Sequence, residues 1–441
     1  MSFVILQNIF WFLIMIGVMI LIHELGHYWA ARFFDVKVDT FSFGFGPRLF
    51  GFKKGETDFR FSAILLGGYV KMVGEQPGDE HAADARSFQS KPRWQRLIIV
   101  FAGPAMNIIL AVAVLTGLFM VRFPKVPSRP SPEIGYIVPN SAAAKAGLQE
   151  GDRIVQVGDT ANPTWEDINL KEIASAGHAL SVWIVRNGER KLFTVTPVLD
   201  AKTGAGFAGW GEQSEIEIAS TLADSPAAKA GLKPGDIMVS VDGQPIHSTP
   251  KVHDIISGNG GKPVDIVFSR NGTLMNARLT PTLAKNAGTK EWMVGVSLQQ
   301  NVVFVSLPFP QALSESVREN VKSAGFIYQL LRGIAERRMS PKSVYGPIGI
   351  VQISGEEARE GPIPFLGLMA ALSLNLAVVN LLPIPILDGA SIFMLLVEML
   401  MRRDLSLRVK EAAFRLGFVF IMAIVAFVIY NDISRLLPSG G

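Results

Sequence analysis

Apolar residues in this chain come in long, nearly uncharged runs. Met1–Ile22 holds no charged residue, and the run continues to about Ala31. Leu97–Val121 is also free of charge, and Gly361–Val397 carries a single charge, Asp388. A last run, from Ala412 to about Ile433, is interrupted by Arg415, whose long side chain can snorkel to an interface. A helix needs about 20 apolar residues to cross a bilayer. The runs therefore predict four transmembrane helices, over 1–31, 97–121, 362–400 and 412–433.

Between the first two runs the period changes from helical to two. Phe41, Phe43 and Phe45 alternate with Ser42, Gly44 and Gly46, a turn signal follows at Lys53-Lys54-Gly55-Glu56, and a second strand starts at Thr57. Leu65–Met72 resumes apolar and Gly-rich. The pattern predicts a β region over 36–75, read either as a plain cytoplasmic hairpin or as a sheet that dips toward the membrane. In the second reading Gly67, Gly68 and Tyr69 would hold an extended peptide by strand addition.

Residues 127–306 contain a repeat. Ser141-Ala-Ala-Ala-Lys-Ala-Gly-Leu-Gln-Glu-Gly-Asp152 returns as Ser225-Pro-Ala-Ala-Lys-Ala-Gly-Leu-Lys-Pro-Gly-Asp236, an offset of 84 residues. Arg186-Asn187-Gly188 and Arg270-Asn271-Gly272 keep that offset, which predicts two copies of one small α+β domain, 127–215 and 220–306. Each copy resembles the permuted PDZ domains of bacterial envelope proteases. Such domains take a peptide C-terminus at a sheet edge, and Glu133–Tyr136 is the expected carboxylate loop of the first copy. A spacer or steric gate is the other reading.

Beyond the repeat, Leu313, Val317, Val321, Ala324, Ile327, Leu331 and Ile334 recur at three and four, so 311–335 reads as an amphipathic helix. It is expected along the outer membrane surface or packed under the paired domains, within a helical region 311–360. Gly346-Pro347-Ile348-Gly349 is expected to break the chain.

Composition narrows the class. The chain has 441 residues, 49% hydrophobic and 18% charged, which favours a membrane protein with soluble parts. The net charge of +4 accompanies no nucleic-acid motif, so no nucleic-acid partner is expected. The absence of cysteine excludes disulfides and thiolate ligands. The N-terminal run lacks a basic leader and is expected to be retained. Eleven Lys or Arg fall in 31–97, and four more follow the third run, at Arg402, Arg403, Arg408 and Lys410. The positive-inside rule then puts both segments in the cytoplasm, with both termini and the paired domains outside.

The chemistry lies in the membrane runs. His23-Glu24-Leu25-Gly26-His27 is an H-E-x-x-H motif: on a helix His23 and His27 share a face and can grip one metal ion, while Glu24 can serve as general base. Ionisable groups in an apolar span are costly and point to function, although a cap at the membrane interface remains the bland reading. Catalytic zinc usually takes three protein ligands. Asp388, alone in its apolar run, is the candidate third. Pro383 and Pro385 predict unwound backbone just before it. Asn375 and Asn380 offer amides for a substrate backbone or an oxyanion, or for helix–helix hydrogen bonds. Asn107, in the second run, reads as a packing residue.

His23–His27 in the first span, Phe101-Ala-Gly-Pro-x-x-Asn107 in the second and Asn380-x-x-Pro-x-Pro-x-Leu-Asp-Gly389 in the third together resemble the site-2 protease family of intramembrane zinc metalloproteases. The tandem PDZ domains narrow this to a type found in Gram-negative bacteria. Ala390 and Ser391 depart from the family pattern, at positions that are not proposed ligands. The resemblance implies a polytopic α-helical membrane protein of the inner membrane, with four transmembrane helices, a membrane-associated β-sheet and two periplasmic PDZ domains. It implies Zn2+ on His23, His27 and Asp388, and water activated by Glu24 near the cytoplasmic side of the bilayer. It also implies single-span membrane substrates: an anti-sigma factor already trimmed outside, and leftover signal peptides. The paired PDZ domains would bind peptide C-termini or screen substrates by size. A membrane PDZ scaffold with a structural zinc site is the alternative, as is a zinc protease that cuts soluble tails at the membrane surface.

Overall fold

A computed structural model describes residues 2–75, 84–121, 123–125, 132–200, 205–286, 289–301, 303–336 and 346–436. The start of the first repeat, 127–131, and residues 337–345 of the 311–360 region lie outside the described residues. The chain divides into two compact units: Met1–Phe123 with Val305–Tyr328 and Val344–Gly441, and Pro124–Phe304 with Gln329–Ser343.

The first unit holds the membrane helices. Four described helices are long and apolar enough to span a bilayer: Phe3–Phe33, Arg93–Val121, Pro362–Asn380 and Arg408–Ser434. The stretch expected as one span over 362–400 is two helices, Pro362–Asn380 and Asp388–Met401. The chain between them is irregular because Pro383 and Pro385 cannot donate to a helical ladder. Ile386 there sits at φ 84°, a left-handed conformation costly for a β-branched residue, on the order of 1–3 kcal/mol.

Two apolar clusters bracket the middle of the first helix. Phe12, Met15 and Met19 pack with Phe365 and Met369 on one side of it. Ala31, Val36, Val38, Phe41, Val70, Ile99, Val100 and Leu395 close the other. The second cluster ties a β-hairpin to the helix ends. Its strands, Val38–Lys54 and Thr57–Met72, bend so that Phe41 pairs with both Phe59 and Val70, and Phe43 with both Phe61 and Gly68. The outer edge of Gly68–Val70 pairs with no further strand among the described residues. The helix Asp388–Met401 is pinned at its far end by Glu398, fully buried, which meets Lys410 Nζ at 2.7 Å and the Leu405 N–H at 3.0 Å.

The amphipathic helix, Phe309–Ala335, does not bury its large apolar stripe: Leu313, Val317, Val321 and Tyr328 are exposed. Ala312, Ser316 and Asn320 are the buried positions of its first half, and Ser316 Oγ donates to the Val112 carbonyl of the second span at 2.8 Å. In lipid, small residues let helices approach, and large apolar ones need no shelter from water. Gly346 is extended and precedes the start of a new helix. Pro347 occupies the first turn of a helix, Pro347–Glu360, where its missing N–H costs nothing. Asp432 of the last helix accepts from Gly346, Ile348 and Gly349 N–H at 2.9, 2.9 and 3.2 Å, capping that start.

The second unit contains both repeat copies, each with its own core. Ile134, Ile154, Ile168, Val182, Ile184 and Val195 build the first, and Ile218, Met238, Val252, Ile266, Phe268 and Leu279 the second. The repeated residues make the same contacts. Arg186 grips Asp152 with two hydrogen bonds of 2.6 Å, and Arg270 grips Asp236 with two of 2.7 Å. Both aspartates are 1% exposed, so losing either arginine would leave a shielded carboxylate without its partner and destabilise that copy. Glu133–Tyr136, expected as a carboxylate loop, instead enters strand Ile134–Ile137, which pairs with Trp210–Glu212 on one side and is bonded to Asp152 and Arg153 on the other.

Candidate active site

His23 and His27 lie one helical turn apart and are each 8% exposed. Their Nε2 atoms are 3.2 Å apart. Asp388, the first residue of its helix, turns Oδ2 toward both, at 3.1 Å from His23 Nε2 and 3.5 Å from His27 Nε2. The break before Asp388 is what lets a helix start, with its positive dipole end, face the pair.

The three atoms fit a metal ion. Zinc bonds of about 2.0–2.1 Å in a tetrahedron place ligand atoms roughly 3.3 Å from one another. The observed separations of 3.1–3.5 Å bracket that figure. The Asp388 Oδ2 atom is buried without a hydrogen bond. Among the described residues this is the single group of three or more His, Asp or Glu side chains close enough to share an ion.

The ring nitrogens facing away are held. His27 Nδ1 lies 2.9 Å from the Ile99 carbonyl, so it carries the proton and leaves Nε2 bare for a metal. His23 Nδ1 lies 3.2 Å from the Asn107 amide. Amide N and O exchange places by a half-turn, and Asn107 Oδ1 is otherwise a buried acceptor with no partner. With Oδ1 toward Nδ1–H, His23 also presents a bare Nε2. Asn107 is fully buried, and its backbone carbonyl accepts from Ser373 Oγ of the third span at 2.9 Å. The sequence reading left Asn107 as a packing residue; its signal was the Ala-Gly-Pro-x-x-Asn spacing beside H-E-x-x-H. Gly103 completes the fit, because a Cβ there would strike His27 Nε2. We expect Asn107→Leu, which keeps the volume and removes the amide, to weaken metal affinity by about 10–100-fold in a chelator competition. Unchanged affinity would reduce Asn107 to a packing role.

Glu24 lies beside the cluster, against the hairpin. A Cβ on Gly68 would come 3.1 Å from Glu24 Cγ and 2.9 Å from Ile20. The Val70 N–H also reaches the Glu24 carboxyl. The unpaired strand edge therefore runs past the Glu24 carboxyl. Gly67 packs under the Phe45 ring, and Tyr69 stacks with Phe45 at 6.1 Å and receives a hydrogen bond from Arg60. Asn380 is the half-buried last residue of its helix, whereas Asn375 is exposed. Neither hydrogen-bonds to the cluster.

A metal-binding cluster with an adjacent carboxylate, set among membrane-spanning helices, defines a membrane metalloprotease, and the chain belongs to peptidase family M50, whose profile matches residues 11–424. It is a membrane metalloprotease of the zinc-dependent kind. The regulator of sigma-E protease RseP of Salmonella typhimurium strain 14028s is 31% identical, over 98% of this chain and 99% of its own. Putative zinc metalloproteases of Vibrio cholerae serotype O1 and Xylella fastidiosa Temecula1 are 30% and 32% identical, over 98% and 97% of this chain and 99% of each of theirs.

Proposed function

We propose that this chain cuts single-span membrane proteins within the bilayer, with His23, His27 and Asp388 holding zinc and Glu24 acting as general base. The observation that carries this reading is the convergence of three bare ligand atoms among apolar spans, beside an open strand edge. Bound there, zinc would supply Lewis acidity to the attacking water and to the scissile carbonyl. A helical substrate hides each peptide bond inside its own turn, so it must unwind before it is cut. The edge Gly67–Tyr69 offers its backbone to the unwound segment as one more strand and presents the peptide bond to Glu24. Glu24 takes a proton from the attacking water and returns it to the leaving amine. Asn380 is the amide we assign to steadying the oxyanion.

The substrates on this reading are an anti-sigma factor already trimmed outside the cell membrane and remnant signal peptides. The relative named as a regulator of sigma-E protease and the basic loops at 31–97 and 402–410 support that assignment and an active site near the cytoplasmic face. The test is cleavage of a tagged single-span substrate by the purified protein in liposomes, with the cut mapped by mass spectrometry. A cut inside the apolar span is expected. Cutting confined to soluble tails would reject intramembrane proteolysis. No cutting, even after deletion of 127–306 to remove a gate, would favour the scaffold.

A further inference from the structure

The first PDZ copy contains a buried carboxylate that the protease reading leaves unused. Glu172, at the end of helix Trp165–Ile173, is 7% exposed. One of its oxygens accepts from the Ala208 N–H at 2.5 Å and the other from the Trp210 indole N–H at 2.7 Å. Burial pushes this carboxyl up, and the Ala208, Trp210 and Gly209 donors pull it back in part. Ala208 and Gly209 turn the chain from strand Gly206–Phe207 into strand Trp210–Glu212, with Gly209 at φ 83°, and the N–H groups of both reach the Glu172 carboxyl, as in an anion nest.

The second copy repeats this turn. Gly295 has φ 78°, and a Cβ on it would strike Ser225 as one on Gly209 would strike Ser141. The Ala143 N–H donates to the Ala208 carbonyl at 2.8 Å, and the Ala227 N–H to the Val294 carbonyl at 3.0 Å. The neighbouring helices also correspond. Thr164 and Ser248 cap them at the 84-residue offset, and Ile168 matches Val252. At that offset Glu172 becomes Ile256, which is 4% exposed and offers no acceptor.

We propose that Glu172 is a built-in occupant of the first copy's carboxylate-binding turn, which closes that copy to peptide C-termini and leaves the turn of the second copy for an incoming tail. A tail carboxylate entering the first copy would meet a carboxylate already paired and buried, a like-charge encounter in a low dielectric. Displacing Glu172 would leave it unpaired beside the Trp210 core.

The test swaps the two residues in the full-length protein. Binding is titrated with a labelled decapeptide ending in a free valine carboxylate and with the same peptide amidated. Glu172→Ile is expected to add one site per chain that prefers the free acid by about tenfold or more, because its turn regains unpaired N–H donors. A folded Glu172→Ile protein with no added site overturns the proposal. The reciprocal Ile256→Glu is expected to keep the melting temperature well above that of Val252→Glu, since a nest awaits the first carboxylate and none the second. Equal losses would also overturn it, and this comparison decides the matter if Glu172→Ile does not fold.

Discussion

Replacing Glu24 with glutamine is expected to reduce cleavage of the single-span substrate by about 10²–10⁴-fold while leaving bound metal at the wild-type level. Glutamine keeps the size and the hydrogen-bonding reach of the side chain and cannot take a proton from water. The fold has little reason to change, because Gly68 would face the same side-chain shape. Metal retention follows from geometry, since the three converging ligand atoms belong to His23, His27 and Asp388. Metal analysis of the purified variant, run beside the liposome assay, separates the two roles. Undiminished cleavage would require another base, and loss of metal together with activity would make Glu24 a ligand or its support.

Much of this site was legible because membrane sequences have few reasons to carry charge. His23, Glu24, His27 and Asp388 stand out against apolar runs, and prolines at 383 and 385 announce the broken helix that turns Asp388 inward. Asn107 was harder to read. An asparagine in an apolar helix has an ordinary packing explanation, and only its place 3.2 Å from His23 Nδ1 gives it a chemical one. Helix 309–335 was legible as amphipathic, and its exposed stripe of large apolar residues suits a membrane surface; the face that packs is the small and polar one, Ala312-Ser316-Asn320, which a hydrophobic pattern does not mark. The carboxylate loop was assigned to Glu133–Tyr136 because an apolar-Gly-apolar pattern occurs there as well as at 208–210 and 294–296. Pairing partners decide between them, and those are long-range facts that a local pattern does not carry.

Asp388→Asn is expected to bring bound metal from about one ion per chain to a small fraction of that, and to abolish cleavage. Asparagine fills the same space, but its neutral amide is a poor zinc ligand beside two neutral imidazoles. The change should not displace the helix, because its far end is held independently by Glu398 with Lys410 and Leu405. This makes a thermal readout informative. An ion that binds only the folded state stabilises it by RT ln(1 + [L]/Kd), about 2.7 kcal/mol at one hundred times Kd. A chelator should therefore lower the melting temperature of the wild type by several degrees and leave that of Asp388→Asn nearly unmoved. Stoichiometric metal in the variant would sink the three-ligand assignment. Asp388 would then be an ion partner of protonated histidines, and the third ligand would have to come from elsewhere in the chain.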